Sequence, residues 1–293
     1  MISRAILATI EYCNTFEYPL TIQEISSRLI SHISPSLKQL KRELSVLVKK
    51  KVIVQSGKYY HLANKHDLAR LRSIREKHSS AQLTKARELA LKLGRTPFVL
   101  AIYVTGSLAM SNSDTNSDID FMIITKDNRL WITRFLLTIF AELLGLRRRP
   151  HSTTISDKLC LNLYLTPSCY ALPESKRSLY TAYELIQALP VYDPHNTHAV
   201  LIHANPWILD FLPNVPERTL LKRNAWLQAK QDPAAAGRRV LNGTLNLIEL
   251  LCFHLQLSYM HRKITNEYIT RDSAFFHPNN RSDSALNDVS TKR

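Results

Sequence analysis

Two runs of apolar, β-branched residues in the middle of the chain limit what it can become. Phe98 to Val104 is apolar throughout, and Ile119 to Thr125 repeats that character after a polar stretch that begins Thr105-Gly106-Ser107. Short runs of this kind read as buried strands, so a sheet must form around them. The second strand opens Asp118-Ile119-Asp120. Side chains alternate along a strand, so Asp118 and Asp120 share one face while Ile119, Phe121 and Ile123 share the other. One face can join a core while the other holds a cation. Paired carboxylates repel each other, and their natural use is to bind a hard divalent ion such as Mg²⁺, which often shares its oxygen ligands with substrate phosphates.

Glycine usage removes two rival nucleotide sites. Among 293 residues only Gly57, Gly94, Gly106, Gly145, Gly237 and Gly243 occur. No two are spaced as G-x-G-x-x-G or G-x-x-x-x-G-K-[ST], so dinucleotide-binding and P-loop readings fall. Gly106 ends the first strand without a side chain, where backbone can approach a phosphate. Ser107 adds a hydroxyl beside the start of a short helix.

The 39 Lys and Arg against 24 Asp and Glu leave a net charge of +15. Grouped positive charge of this size predicts a polyanionic partner, a nucleic acid or a nucleotide, against the alternative of general solubility. The four cysteines, Cys13, Cys160, Cys169 and Cys252, form no C-x-x-C pair, so the expectation is a reducing, cytoplasmic setting without structural zinc or disulfides. No signal-peptide core opens the sequence. The most apolar stretches, Leu130 to Leu146 and Leu245 to Met260, are interrupted by charges and are shorter than the ~20 residues of a membrane span. No membrane partner is expected.

Toward the N-terminus, Ala5 to Thr15 places Ile6, Ile10 and Cys13 on one helical stripe. Thr21-Ile22-Gln23-Glu24 is a capping box that starts a second helix. Ser34-Pro35 signals a third, with Leu37, Leu40, Leu44 and Leu47 on its apolar face and Lys38, Lys41 and Arg42 on the other. Two short β segments around Ser56-Gly57 then form a hairpin. Three helices and a hairpin make the layout of a winged helix-turn-helix, whose third helix would enter a DNA major groove. A protein-docking module has the same layout and stays open as the alternative.

Asn64 to Leu93 predicts a long connecting helix with Gly94 as its C-cap. Past the second strand, Arg129 to Leu146 predicts a helix with Trp131, Phe135, Ile139 and Leu143 on its apolar side, leading to Arg147-Arg148-Arg149. These forks suit a triphosphate, or are simply cations favoured at a helix C-terminus. Arg134, amid apolar neighbours on the same helix, is expected to pair with an acid and is a second candidate for nucleotide contact. Lys158 to Leu165 reads as a further strand, with Leu159, Leu161, Leu163 and Leu165 on one face and Lys158, Cys160, Asn162 and Tyr164 on the other. Helices are expected over Ser175 to Leu189, Arg218 to Gln231 and Ala234 to Lys263, with a polar tail from Asn279 and an apolar patch at Phe275-Phe276-His277-Pro278.

Gly106-Ser107 followed by Asp118-Ile119-Asp120 resembles the signature of the DNA polymerase β-type nucleotidyltransferase superfamily, and Asn116 to Asp120 is similar to its small prokaryotic members. The resemblance covers about residues 97 to 166. It implies a small mixed sheet with helices on one side, two Mg²⁺ ions, and transfer of a nucleoside monophosphate from an NTP to a hydroxyl with release of pyrophosphate. It also implies that Asp118 and Asp120 bind the metals and that Gly106 and Ser107 cradle the triphosphate. A third carboxylate common in the superfamily falls at Asn162 here. An amide coordinates a cation through oxygen but cannot accept a proton as a general base. Asp157 or a water would have to act instead, and Asn162 can equally be an ordinary sheet residue.

The expected organisation is α+β: a winged helix-turn-helix over residues 1–64, a connecting helix over 65–96, a nucleotidyltransferase core over 97–170, a helical region over 171–264 and a partly disordered tail over 265–293. The leading functional expectation is an Mg²⁺-dependent nucleotidyltransferase acting on an NTP, with Asp118, Asp120 and Asn162 at the catalytic centre and Gly106, Ser107 and Arg134 on the nucleotide. The alternative is a DNA-binding regulator with an inactive domain of that type. Nucleotidylation of a partner protein would use the same site.

Overall fold

A computed structural model describes residues 1–63, 67–149, 155–215, 239–261 and 267–276. It is an α+β structure with two sheets and, among the described residues, ten α-helices. No helix among them is long and apolar enough to cross a membrane.

The N-terminal unit consists of α1 (Ile2–Asn14), β1 (Leu20–Thr21), α2 (Ile22–Ser27), α3 (Leu37–Lys49), β2 (Ile53–Ser56) and β3 (Tyr59–Leu62). Its three strands form an antiparallel sheet in the order β1-β3-β2. The Thr21–Glu24 capping box is present, with the Glu24 amide donating to Thr21 Oγ1 at 3.2 Å and the Thr21 amide to Glu24 Oε2 at 2.8 Å. The third helix begins later than Ser34-Pro35 suggests. Ser36 and Gln39 form a capping box of their own, which satisfies the first amides of α3 and leaves Pro35 outside the helix. Leu40, Leu44 and Leu47 are buried, whereas Leu37 at the new N-terminus is half exposed.

Helix α4 (Leu68–Leu93) follows, and it is more than a connector. The side chains it buries include Arg72, Ser79 and Gln82 as well as Leu68, Ala86, Ala90 and Leu93, while Ile74 is exposed. Arg72 donates to both carboxylate oxygens of Glu24, at 2.7 and 2.9 Å, and so ties α4 to α2. Gly94 caps α4 in a right-handed conformation (φ −63°), so left-handed freedom does not explain it. Any Cβ there would come within 2.8 Å of the Tyr192 ring.

The larger sheet is built from β4 (Val99–Val104), β5 (Ile119–Thr125), β6 (Leu159–Leu165), β7 (Leu189–Tyr192), β8 (Tyr268–Ile269) and β9 (Ser273–Phe275), in the order β7-β4-β5-β6-β9-β8. Only β5 and β6 run parallel. The remaining helices are α5 (Gly106–Ala109), α6 (Leu130–Leu143), α7 (Leu179–Gln187), α8 (Thr197–His203), α9 (Ile208–Phe211) and α10 (Arg239–His261).

Apolar packing covers both faces of this sheet, not one. Ile102, Val104, Ile119, Phe121 and Ile123 pack in one cluster with Trp131 and Leu137 of α6 and Ala86 and Ala90 of α4. Ala101, Tyr103, Met122 and Ile124 pack in the other with α7, α8 and α9, and that cluster extends to the N-terminal helices. The region after residue 170 is therefore not purely helical, because β7, β8 and β9 lie within it and extend the sheet at both edges. Between α7 and residue 215 the chain forms β7, α8 and α9. The expected helix at Arg218 to Gln231, the tail from Asn279, and His277 and Pro278 lie outside the described residues.

Helix α6 buries Trp131 but exposes Phe135, Ile139 and Leu143 in part, contrary to a single apolar stripe. Glu249 of α10, itself buried, accepts hydrogen bonds from the amides of Trp131 (2.7 Å) and Ile132 (2.9 Å) and so caps the start of α6 across the helix pair.

Candidate active site

Strands β4 and β5 bring the glycine turn and the two acids to one point. Their antiparallel register sets Val104 opposite Phe121, and the Thr105 amide donates to the Asp120 carbonyl at 3.0 Å. Gly106 then turns with φ +64°, a left-handed conformation that favours glycine. A Cβ at this position would lie 2.6 Å from Asp120 Oδ2. The Asp120 carboxylate thus fills the space that a side chain at position 106 would take.

The loop between α5 and β5 is held by α4. The Ser113 amide donates to Ser79 Oγ at 3.0 Å, the Ser113 hydroxyl donates to Gln82 Oε1, and Gln82 Nε2 donates to the Ser117 carbonyl at 3.0 Å. Within the loop, Asp114 Oδ1 accepts from the Asn116 amide and the Ser117 hydroxyl, both at 2.9 Å. A buried polar pair on a charged helix therefore fixes the approach to Asp118.

On the parallel side, β6 sets Cys160 directly opposite Asp120. Donor atoms of Asp118, Asp120 and Cys160 lie within 4.8 Å of one another and form a group able to hold a metal ion. Burial raises the Cys160 thiol pKa, and the adjacent Asp120 and Asp118 raise it further. Asn162 is also at the site. Its Nδ2 donates to Asp120 Oδ1 at 2.6 Å and comes within 3.5 Å of Cys160 Sγ. It thus orients a carboxylate.

The register shifts at this point. Phe121 pairs with Leu161 but Met122 pairs with Leu163, so Asn162 is an extra residue in β6, a β-bulge. Beyond it the faces exchange. Leu163 and Leu165 pack with Met122 and Ile124, while Tyr164 joins Leu159 on the opposite side. Simple alternation put all four leucines together, and the bulge overturns that.

Of the three consecutive arginines, only Arg148 reaches the acids. Its Nη1 donates to Asp118 Oδ2 at 2.6 Å and approaches Cys160 Sγ at 3.6 Å. Burial works against its charge, but Asp118 and Cys160 outweigh that and raise its pKa. The Arg148 side chain is 40% exposed and Asp118 only 12%, so the guanidinium reaches in from the rim. Arg147 and Arg149 pair with Glu142 instead.

Arg134, expected on the nucleotide, is elsewhere. It projects from α6 toward α10, donating to Gln256 Oε1 and stacking 4.4 Å from the Phe276 ring centre, on the side of the sheet away from Asp118 and Asp120. Burial lowers its pKa, and among the described residues it has no acid in ion-pair contact. Asp157, the other candidate base, is committed to Lys85 Nζ at 2.6 Å and Gln82 Nε2 at 3.2 Å, and Lys85 chiefly lowers its pKa. Ser107 lies in the first turn of α5, its carbonyl accepting from the Asn112 amide at 2.8 Å.

Sequence reasoning missed Cys160 as a site residue, although its place two residues before Asn162 on the same face was legible. It grouped Arg148 with its neighbours and had no signal for Ser79 or Gln82. The chain matches no family model, no curated protein and no solved structure.

Proposed function

We propose that the protein is a cytoplasmic, Mg²⁺-dependent nucleotidyltransferase that transfers a nucleoside monophosphate from an NTP to a hydroxyl acceptor and releases pyrophosphate. The observation that carries this reading is that Asp120, beside Asp118, occupies the space left by the missing side chain of Gly106 at the meeting of two strands. The donor set fits the metal: two carboxylates two positions apart, Asp118 just before β5 and Asp120 within it, beside a turn that carries no side chain. When bound, Mg²⁺ polarises the phosphoryl oxygens and neutralises the charge that develops during transfer.

The chain's own residues divide the remaining work. Asp118 and Asp120 hold the metal, and Gly106 and Ser107 give the triphosphate an approach free of side-chain bulk. Asn162 keeps Asp120 in position through its amide donor. Arg148 releases Asp118 and turns its fork to the phosphates. Neither Asn162 nor Asp157 is a free base, so the acceptor proton leaves to water.

The N-terminal unit fits a winged helix-turn-helix, with α3 as the recognition helix. Lys38, Lys41 and Arg42 are exposed on α3, as are Lys49, Lys50 and Lys51 near its end, which supports contact with DNA phosphates. A second reading, a DNA-binding regulator whose nucleotidyltransferase-like domain does not turn over, is favoured by the amide at Asn162 and by Arg148 on Asp118. Transfer of labelled α-phosphate to components of a cell extract separates the two. The enzyme reading expects incorporation that Asp120→Ala abolishes while DNA binding persists. No incorporation from any NTP, with salt-sensitive DNA binding lost on Lys38→Ala and Lys41→Ala, selects the regulator.

A further inference from the structure

The third donor beside the two acids is a sulfur atom, and this changes which ion the site prefers. Cys160 faces Asp120 across the parallel β5–β6 pair, and its Sγ lies with the oxygens of Asp118 and Asp120 inside a 4.8 Å span. One ion with oxygen bonds of about 2.0–2.2 Å and a sulfur bond of about 2.3 Å sets its donors about 3.5 Å apart in tetrahedral geometry, so the three side chains would close in on it by up to about 1.3 Å. Two protein donors converge on the same group. Arg148 Nη1 reaches Asp118 Oδ2 at 2.6 Å and Sγ at 3.6 Å; Asn162 Nδ2 reaches Asp120 Oδ1 at 2.6 Å and Sγ at 3.5 Å. A guanidinium therefore already sits between a carboxylate and the sulfur, where positive charge is favoured. Asn162 meanwhile steadies Asp120 from behind, as outer partners of metal ligands do.

We infer that Asp118, Asp120 and Cys160 together bind a thiophilic divalent ion of the zinc class in the absence of nucleotide. The inference rests on the site being a cation site, as in the transferase reading, but it assigns Cys160 and not Asn162 as the third ligand. Hard Mg²⁺ gains little from sulfur, whereas zinc-class ions bind thiolate strongly. As the metal–sulfur bond forms, the Cys160 S–H bond breaks and its proton goes to solvent, with no change in oxidation state. The ion displaces Arg148 from Asp118 and the sulfur, leaving its fork for an anion.

Cobalt(II) added to the full chain without nucleotide tests this, because a cobalt–thiolate bond gives a charge-transfer absorption in the near ultraviolet. The expected result is one equivalent of Co²⁺ producing that band and excess Mg²⁺ failing to remove it. Cys160→Ser should lose the band, and Asp118→Asn or Asp120→Asn should weaken binding at least about tenfold, with unchanged far-ultraviolet circular dichroism. No band in the wild type, or a band that survives in Cys160→Ser because Cys13, Cys169 or Cys252 supplies it, overturns the inference. Pyrophosphate release is followed in parallel. A Cys160-dependent band without turnover upholds the metal site and defeats the transferase reading, and turnover with Mg²⁺ but no band does the reverse.

Discussion

Gly106 faces the Asp120 side chain so closely that a single added carbon on the glycine would lie 2.6 Å from the carboxylate oxygen Oδ2. The turn and the acid are one unit, since no other residue type at position 106 leaves Asp120 where it is. Gly106→Ala should cost about 1–2 kcal/mol for the left-handed backbone alone, and the collision adds to this. Urea denaturation of the single variant and of the Gly106→Ala/Asp120→Ala pair reads both parts. The pair should recover the collision and retain the backbone cost. A Gly106→Ala variant as stable as the parent would mean the close approach is absent.

The N-terminal unit should be sensitive to acid through one ion pair. Burial by itself raises the Glu24 carboxyl, but the Arg72 fork, the Thr21 amide and Arg28 overcome it and hold the pKa at about 2 against an ordinary 4.5. A depressed carboxyl contributes stability that is present above pH 4.5 and is lost as pH falls toward 2. Glu24→Gln should flatten that acid limb. At neutral pH it should destabilise by about 2–4 kcal/mol, below the full cost of stranding a buried charge because Glu76 still pairs with Arg72. Melting curves across this pH range check it, and an unchanged acid limb would contradict it.

Glu249 carries the opposite shift. Burial raises its carboxyl pKa, against the lowering effect of the Trp131 and Ile132 amides. Its contribution is therefore complete at low pH and declines as pH rises through the raised value. Glutamine keeps one acceptor oxygen but turns its NH2 toward the second backbone N–H, so Glu249→Gln should retain only part of the cap and lose less than Glu249→Ala. Glu249→Ala leaves two buried amides without an acceptor and should cost about 1–3 kcal/mol. Equal losses in the two variants, measured by urea denaturation, would refute the capping role.

Gly94 tests packing rather than backbone freedom. At a right-handed position an alanine ordinarily stabilises by about 0.4–1 kcal/mol. Here the new Cβ meets the Tyr192 ring at 2.8 Å, so Gly94→Ala should instead cost about 1–3 kcal/mol. Adding Tyr192→Leu should recover part of the loss. A stabilised single variant would show that the ring yields.

The sequence carried the strands at Val99–Val104 and Ile119–Thr125, the Thr21–Glu24 cap and the meeting of Gly106 with Asp120, because local periodicity and turn chemistry decide them. What it hid depends on distant partners. Arg134 read as the partner of an acid or a second contact for a nucleotide, and α10, more than a hundred residues away, supplies Gln256 instead. The bulge at Asn162 obeys no local pattern, since all four leucines of β6 alternate perfectly in the sequence. Glu249 looked like an interruption in an apolar run, yet it caps another helix. Strands β7, β8 and β9 are short and gain their hydrogen-bond partners only from the sheet they join.

Equilibrium binding of a non-hydrolysable NTP to the purified full chain, with Mg²⁺ and then with a chelator, tests most directly whether the two acids and the glycine turn form a cation-dependent phosphate site. Binding should require the divalent ion and should weaken at least tenfold, about 1.4 kcal/mol, in Asp120→Ala. Binding that is equally tight in chelator, or that Asp120→Ala leaves untouched, would contradict the account.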